Sequence, residues 1–273
     1  MGNKYSNYKV GSFAGVSEAT IRNMKKNNIE KYENILKKYQ EHLKKEKEMS
    51  KKKIIAATNL KGGVGKSSIL NILVPTVENS VIINIDFASG AENINSAKTI
   101  DYGPLSQDHS LEEVIKEALE EFDNVFIDTP GDITDELIEV IDMVDHFIIP
   151  FNAGERSRTT SIDTFRTLFS EGIIEGKHKL AVVLNNYTND GEKEEELEII
   201  KNAIESTSIE DDLKLSIGYT SLKSTLVMKT MEKTNETIEE LNERNKLAYR
   251  VAHKRFSSLS SDLRNILKLP EKQ

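Results

Sequence analysis

Asn59-Leu60-Lys61-Gly62-Gly63-Val64-Gly65-Lys66-Ser67-Ser68 is the stretch that decides how this chain is read. An apolar run, Ile54-Ile55-Ala56-Ala57-Thr58, precedes it, and a run of helical character, Ile69-Leu70-Asn71-Ile72-Leu73, follows. The order is strand, glycine loop, helix. Three glycines let the backbone turn its N–H groups inward, and the helix N-terminus adds partial positive charge. Lys66 and the Ser67 hydroxyl then complete a cradle for a triphosphate and Mg²⁺. Gly62, Gly63, Val64, Gly65, Lys66, Ser67 and Ser68 are the expected nucleotide contacts, with Ser67 on the metal. A plain glycine-rich turn with solvated lysines would leave unexplained why strand, loop and helix signals coincide with the full motif.

The general phosphate-loop pattern has glycine where this chain has Leu60, and a second lysine stands at Lys61. The run Lys-Gly-Gly-Val-Gly-Lys-Ser resembles the deviant Walker A ATPases of the ParA/MinD family. The resemblance implies a P-loop NTPase of the α/β class, its mostly parallel twisted sheet flanked by helices. It also implies ATP and Mg²⁺ as cofactors, and a homodimer that sandwiches two ATPs, with Lys61 reaching the partner's phosphates.

Beyond the loop, short apolar runs alternate with longer amphipathic ones, the pattern of a parallel sheet covered on both faces. Strands are expected over 80–86, 124–129, 146–151, 179–185 and 213–219, and helices over 111–120, 134–141, 159–168, 192–206 and 238–267, the last one broken. Ligands in such sheets lie outside the carboxyl ends of the strands. Val81-Ile82-Ile83-Asn84-Ile85-Asp86 ends there in a carboxylate, and the resemblance makes Asp86 the residue that orients the attacking water. The family's second acid is replaced by Asn84, its turn by Phe87-Ala88-Ser89-Gly90, and Asn93 is the displaced match to the switch asparagine. The run from Phe122 to Gly131 resembles the Walker B strand, so Asp128 is expected to hold Mg²⁺ and Thr129, Gly131 and Asp132 to form a switch turn. The run 145–150 resembles the strand beneath the site, and Asn185 or Asn186 matches the asparagine that recognises adenine.

The chain has 273 residues, 37% hydrophobic and 30% charged, as a soluble globular protein does, which allows one large domain and a small one. No apolar run approaches a membrane span and no signal-peptide core is present, so a cytoplasmic location and no membrane partner are expected. With no cysteine, disulfides and cysteine-held metal centres are excluded. Met1-Gly2-Asn3-Lys4-Tyr5-Ser6 fits the N-myristoylation pattern, a motif short enough to arise by chance. His146 and the other histidines show no metal spacing.

Charge is unevenly placed. Residues 1–53 carry 14 Lys+Arg against 6 Asp+Glu, whereas the remainder carries 23 against 39. A polyanion partner at the N-terminus and a merely solvated lysine-rich helix both fit that imbalance. Within it, residues 10–24 read as a helix-turn-helix, with Val10, Ala14, Val16, Ile21 and Met24 as packing contacts. Ser17, Glu18, Thr20, Arg22 and Asn23 lie at the start of the second helix, where DNA is read. Ala-Gly-Val-Ser-x-x-Thr-Ile resembles bacterial DNA-binding domains, and two ordinary packed helices would look similar. Ile29, Tyr32, Ile35, Leu36, Tyr39 and Leu43 then mark an amphipathic helix, and spacing does not choose between packing on the larger body and pairing with a copy. The expected organisation is 1–50, helix-turn-helix and linker helix, then 51–273, the ATPase domain.

An amino-terminal DNA reader before such an ATPase resembles plasmid-partition ATPases that also repress their own operon. This implies a nucleoid-associated dimer that binds DNA and works with a ParB-type centromere-binding protein. A transcriptional regulator with ATP as ligand switch, and a division-site ATPase of the MinD type, are the alternatives. For the latter, residues 262–270 offer only a weak membrane helix. Residues 189–196 are acidic where DNA-contacting arginines would be expected, while Lys246, Arg250, Lys254 and Arg255 form a basic cluster further on.

Overall fold

The computed structural model describes residues 6–49, 52–86, 97–132, 135–174, 178–206, 217–223, 226–234 and 236–272. The chain divides into two compact units, Met1–Lys52 and Lys53–Gln273.

In the smaller unit, α1 (Asn7–Phe13) and α2 (Glu18–Asn27) are joined by a turn at Gly15, whose φ of 65° is left-handed, and α3 (Ile29–Met49) follows. Ser17 caps α2 by accepting the Thr20 N–H at 3.1 Å. Gly11 is required by close approach, since a Cβ there would sit 2.8 Å from the Val16 carbonyl oxygen. Val10, Ile21, Tyr32 and Tyr39 form the buried core, with Val16, Met24, Ile35 and Leu36 against it. Tyr32, Ile35, Leu36 and Tyr39 of the α3 stripe thus pack with α1 and α2, while Ile29 is exposed.

The larger unit holds a seven-stranded sheet in the order β3-β2-β4-β1-β5-β6-β7. The strands are β1 (Lys53–Ala57), β2 (Ser80–Asn84), β3 (Thr99–Asp101), β4 (Asn124–Asp128), β5 (His146–Asn152), β6 (Lys179–Tyr187) and β7 (Ile217–Lys223). Every pairing among them is parallel. The inner strands are apolar on both faces because helices cover both. The helices are α4 (Lys66–Leu73), α5 (Tyr102–Leu105), α6 (Leu111–Glu121), α7 (Asp135–Val140), α8 (Glu155–Ser170), α9 (Asp190–Ser206), α10 (Val227–Thr234), α11 (Ile238–Arg244) and α12 (Lys246–Leu267). One core joins alternate residues such as Ile54, Ala56, Phe147 and Leu180 to α6 and α8; the other joins Ile55, Ala57, Ile148 and Ala181 to α4, α11 and α12. Leu263, Leu267 and Leu269 belong to the second, so the apolar side of 262–270 is used in packing.

One expectation needs correction, and one expected break is located. The last strand was expected over 213–219; residues 213–216 lie outside those described, and the strand runs on to Lys223. Its later part, Thr220-Ser221-Leu222, is polar enough to read as loop, but Thr220 and Leu222 are buried beside β6 and Thr220 donates to Asp262 at 2.8 Å. The long final helix breaks at Asn245, which leaves helical geometry (φ −148°, ψ 80°) and caps α12 by accepting the Ala248 N–H.

Candidate functional site

The chain passes from β2 and β4 on one side of β1 to β5 on the other, so the carboxyl end of β1 stands at the point where strand order reverses. There the glycine loop joins β1 to α4. Gly63 and Gly65 have φ of 74° and 100°, values open to glycine, and Gly65 caps α4 without any side-chain acceptor. The first N–H groups of α4 therefore point at a ligand position with no partner supplied by a capping side chain.

Three asparagines hold this loop. Asn59, fully buried, donates to the Pro150 carbonyl at 2.7 Å and accepts the Lys61 N–H at 2.9 Å. Thr164 on α8 also donates to Asn59, at 3.3 Å, and its hydroxyl accepts the Leu60 N–H at 3.3 Å. Asn152, at the end of β5, donates to the Gly63 carbonyl at 3.2 Å. Asn185, at the end of β6, donates to the Val64 carbonyl at 3.0 Å and lies so near Gly65 that a Cβ there would meet its amide nitrogen. These are hydrogen bonds from strand ends to loop backbone, and they fix the cradle before any ligand arrives.

Lys66 and Asp128 face one another inside it. Lys66 is 6% exposed, and burial holds its ammonium below the ordinary lysine value, against the pull of Asp128, Asp86 and Asp132. Burial pushes the Asp128 carboxyl up to about 6, opposed by the Ser67 hydroxyl hydrogen bond and by Lys66, with Asp86 adding to the rise. Its Oδ1 is buried with no hydrogen-bond partner. A buried carboxylate oxygen without a donor, next to a serine hydroxyl, fits a hard cation bound through oxygens. The turn after β4 closes the other side: a Cβ on Gly131 would lie 2.7 Å from the Gly62 nitrogen, so that turn rests directly on the loop. Thr129 is buried and donates to the Ala57 carbonyl at 2.9 Å, tying the ends of β4 and β1 together.

The structure thus brings together Gly62, Gly63, Val64, Gly65, Lys66, Ser67, Asp86, Asp128, Gly131 and Asp132. Lys61 and Ser68 are half-buried on the same loop and helix start. Asn84 accepts the Asp86 N–H at 3.1 Å, which steadies that strand end in place of the expected acid. Asn93 and the turn 87–90 lie outside the described residues, as do residues 1–5 of the myristoylation pattern. Asn185 is committed to the loop, whereas its neighbour Asn186 is exposed, with left-handed φ of 59°, and donates to Asn152 at 3.1 Å. Asn59 and Asn152 were not anticipated.

In the smaller unit, Ser17 and Thr20 share a hydroxyl hydrogen bond of 2.8 Å, Arg22 pairs with Glu18 at 2.5 Å, and Asn23 accepts from Asn27. Arg22 and Asn23 remain exposed. The acidic start of α9 has structural uses: Glu192 accepts the Thr188 N–H at 2.6 Å, and buried Glu196 accepts from Arg158 at 3.0 Å and from the Gly154 N–H at 2.9 Å. Among the described residues there is no group of three metal-ligating side chains and no helix long and apolar enough to cross a membrane.

No protein-family model matches the sequence, and no curated protein does. Solved structures do match. A ParA-family ATPase of Chlorobium tepidum superposes with a TM-score of 0.54 at 13% identity, over 78% of this chain and 98% of its own. McdA of Cyanothece in complex with ATP gives 0.53 at 17% identity, over 81% and 98%. The septum site-determining protein MinD of Pyrococcus horikoshii with Mg-ADP gives 0.50 at 14% identity, over 78% and 96%. The chain therefore has the fold of ParA- and MinD-type ATPases.

Proposed function

We propose that the protein is a slow, Mg²⁺-dependent ATPase that dimerises around ATP and couples that cycle to DNA, as a partition ATPase does. The observation that carries the reading is the cradle itself: Lys66, Ser67 and Asp128 converge at an uncapped helix start, under a switch turn in backbone contact with the loop. The nucleotide-bound structures of similar fold, McdA with ATP and MinD with Mg-ADP, support the choice of ligand. Ser67 and Asp128 would hold Mg²⁺, which would supply positive charge against the phosphates.

Catalysis in this reading is positional and electrostatic. Lys66 and the loop N–H groups bind the phosphates, Asp86 orients water, and Lys61 acts on the nucleotide of the partner subunit. Thr129, Gly131 and Asp132, with Asn93, carry the state of the γ-phosphate outward. Of the two strand-end asparagines, Asn186 is the one open to a base. Ser17, Glu18, Thr20, Arg22 and Asn23 would meet DNA; an operator for self-repression and a ParB-type stimulating partner complete the scheme, in a nucleoid-associated, cytoplasmic protein.

The test is fluorescence anisotropy of a random-sequence duplex with ATP, ADP or no nucleotide over a range of salt. Salt-sensitive binding only with ATP is the expected result. Binding indifferent to nucleotide would favour a transcriptional regulator for which ATP is a ligand, a reading to which Asn84 in place of an acid lends some weight.

A further inference from the structure

At the end of the sheet opposite the loop, three neighbouring strands begin with basic or titratable side chains. β1 opens with Lys53, β5 with His146 and β6 with Lys179. β5 lies between the other two, His146 level with Ile55 on one side and with Lys179 on the other. Side chains alternate along a strand, so parity gives the face. Ile55, Ala57, Ile148, Ala181 and Val183 point into the core shared with α12, and Lys53, His146 and Lys179 have the same parity.

α12 ends on that face, and its cap is Lys268, in left-handed geometry with φ 57° and ψ 46°. Glycine is the usual residue there, because other side chains are strained in that conformation. The other two non-glycine residues with positive φ, Asn79 and Asn186, are of the type that tolerates it. Lys268 is the outlier.

Lys179 feels the charge of both other lysines. Lys179 is held below the ordinary lysine value, first by burial, then by Lys268 and Lys53. Asp145 lies 3.9 Å from Lys53, but its other oxygen accepts the Ile54 N–H at 2.9 Å. Among the described residues, Lys179 and Lys268 make no ion pair. Gathering like charges is unfavourable unless an anion completes the arrangement.

We propose that Lys53, Lys179 and Lys268 form a second phosphate-binding surface, at the base of the sheet, that grips the backbone of DNA. Spread over two strand spacings, roughly 10 Å, they suit a row of phosphates better than a single small ion. The larger unit is strongly acidic, with 23 Lys+Arg against 39 Asp+Glu after residue 53, so DNA can approach it only at basic patches such as this one and the cluster of Lys246, Arg250, Lys254 and Arg255. The inference rests on the DNA-linked reading above and supplies the contact on the ATPase unit.

The experiment compares full-length wild type, Lys268→Gly and Lys179→Gln/Lys268→Gly by anisotropy of a random duplex with ATP across salt. Lys268→Gly relaxes the cap, so its thermal midpoint should hold or rise while DNA affinity falls. Each phosphate contact contributes about −0.9 to the slope of log affinity against log salt, so the double variant should lose about 2 from the slope and roughly tenfold in affinity. Its ATP turnover without DNA should match wild type. Wild-type slope and affinity in the double variant would overturn this surface and leave the DNA-linked cycle standing. A wild-type protein that binds no duplex under any nucleotide would overturn both. Lysine-dependent capture by phosphatidylglycerol vesicles in place of duplex would assign the lysines to lipid and overturn the DNA assignment.

Discussion

His146 opens β5 with its imidazole buried, and burial pushes it down to about 4; the Asp145 carbonyl and charge oppose this, and Lys53 and Lys179 add to it. In the unfolded chain the ring takes its proton near 6.5. Between those values the unfolded state binds more protons, so this contribution to stability is complete above about pH 6.5 and is lost as pH falls toward 4. The loss is about 1.4 kcal/mol per pH unit, about 3 kcal/mol in all. Urea titrations should show wild type losing roughly 2 kcal/mol more than His146→Gln between pH 7.5 and pH 5; parallel pH profiles would remove His146 as the cause. At this same scale, the residues expected to bind phosphate were legible in the sequence and those that hold their loop were not. Lys66, Ser67 and the glycines declare themselves by spacing, because they act within one loop. Asn59 acts through Pro150, Ser161 and Thr164, which lie 91 to 105 positions away. No local pattern could mark it.

The switch turn and the loop meet as backbone on backbone, and Gly131 is where they touch. A methyl group there would lie 2.7 Å from the Gly62 nitrogen and 3.1 Å from its Cα, neither of which can swing aside as a flexible side chain would. Gly131→Ala must push the two elements apart, at a cost of about 1–3 kcal/mol for such overpacking. If that contact carries the γ-phosphate state, turnover should drop at least tenfold while ADP affinity changes little. Equal losses in ATP and ADP affinity would point to simple damage to the loop. Elements with a strong apolar rhythm, β1, β2, β4, β5 and β6, were visible in the sequence because burial on both faces demands it. β3, three residues long, and the polar end of β7 were missed, since their pairing is supplied by β2 and β6 rather than by their own composition. The break at Asn245 lay within a helix expected to be broken, yet only its cap geometry locates it.

For the molecule as a whole, the two lysines of the loop stand in different situations. Lys66 is 6% exposed and faces Asp128, Asp86 and Asp132 of its own chain, so its charge is spent inside the subunit. Lys61 has its main chain fixed by Asn59, while its side chain is only half-buried. A rigid base with an outward charge is what action across a dimer requires, because the lysine must be aimed before the partner arrives. Lys66→Ala should therefore abolish nucleotide binding by the monomer. Lys61→Ala should bind ATP nearly as well as wild type but fail to dimerise with it, losing a hundredfold or more in turnover, on the order of a charge supplied in trans. Wild-type specific activity should rise with protein concentration until dimers dominate, as light scattering on the same samples would report. A Lys61→Ala protein that still dimerises with ATP and hydrolyses it at the wild-type rate would leave each subunit catalytically complete, and nucleotide state would then have to reach DNA within one chain.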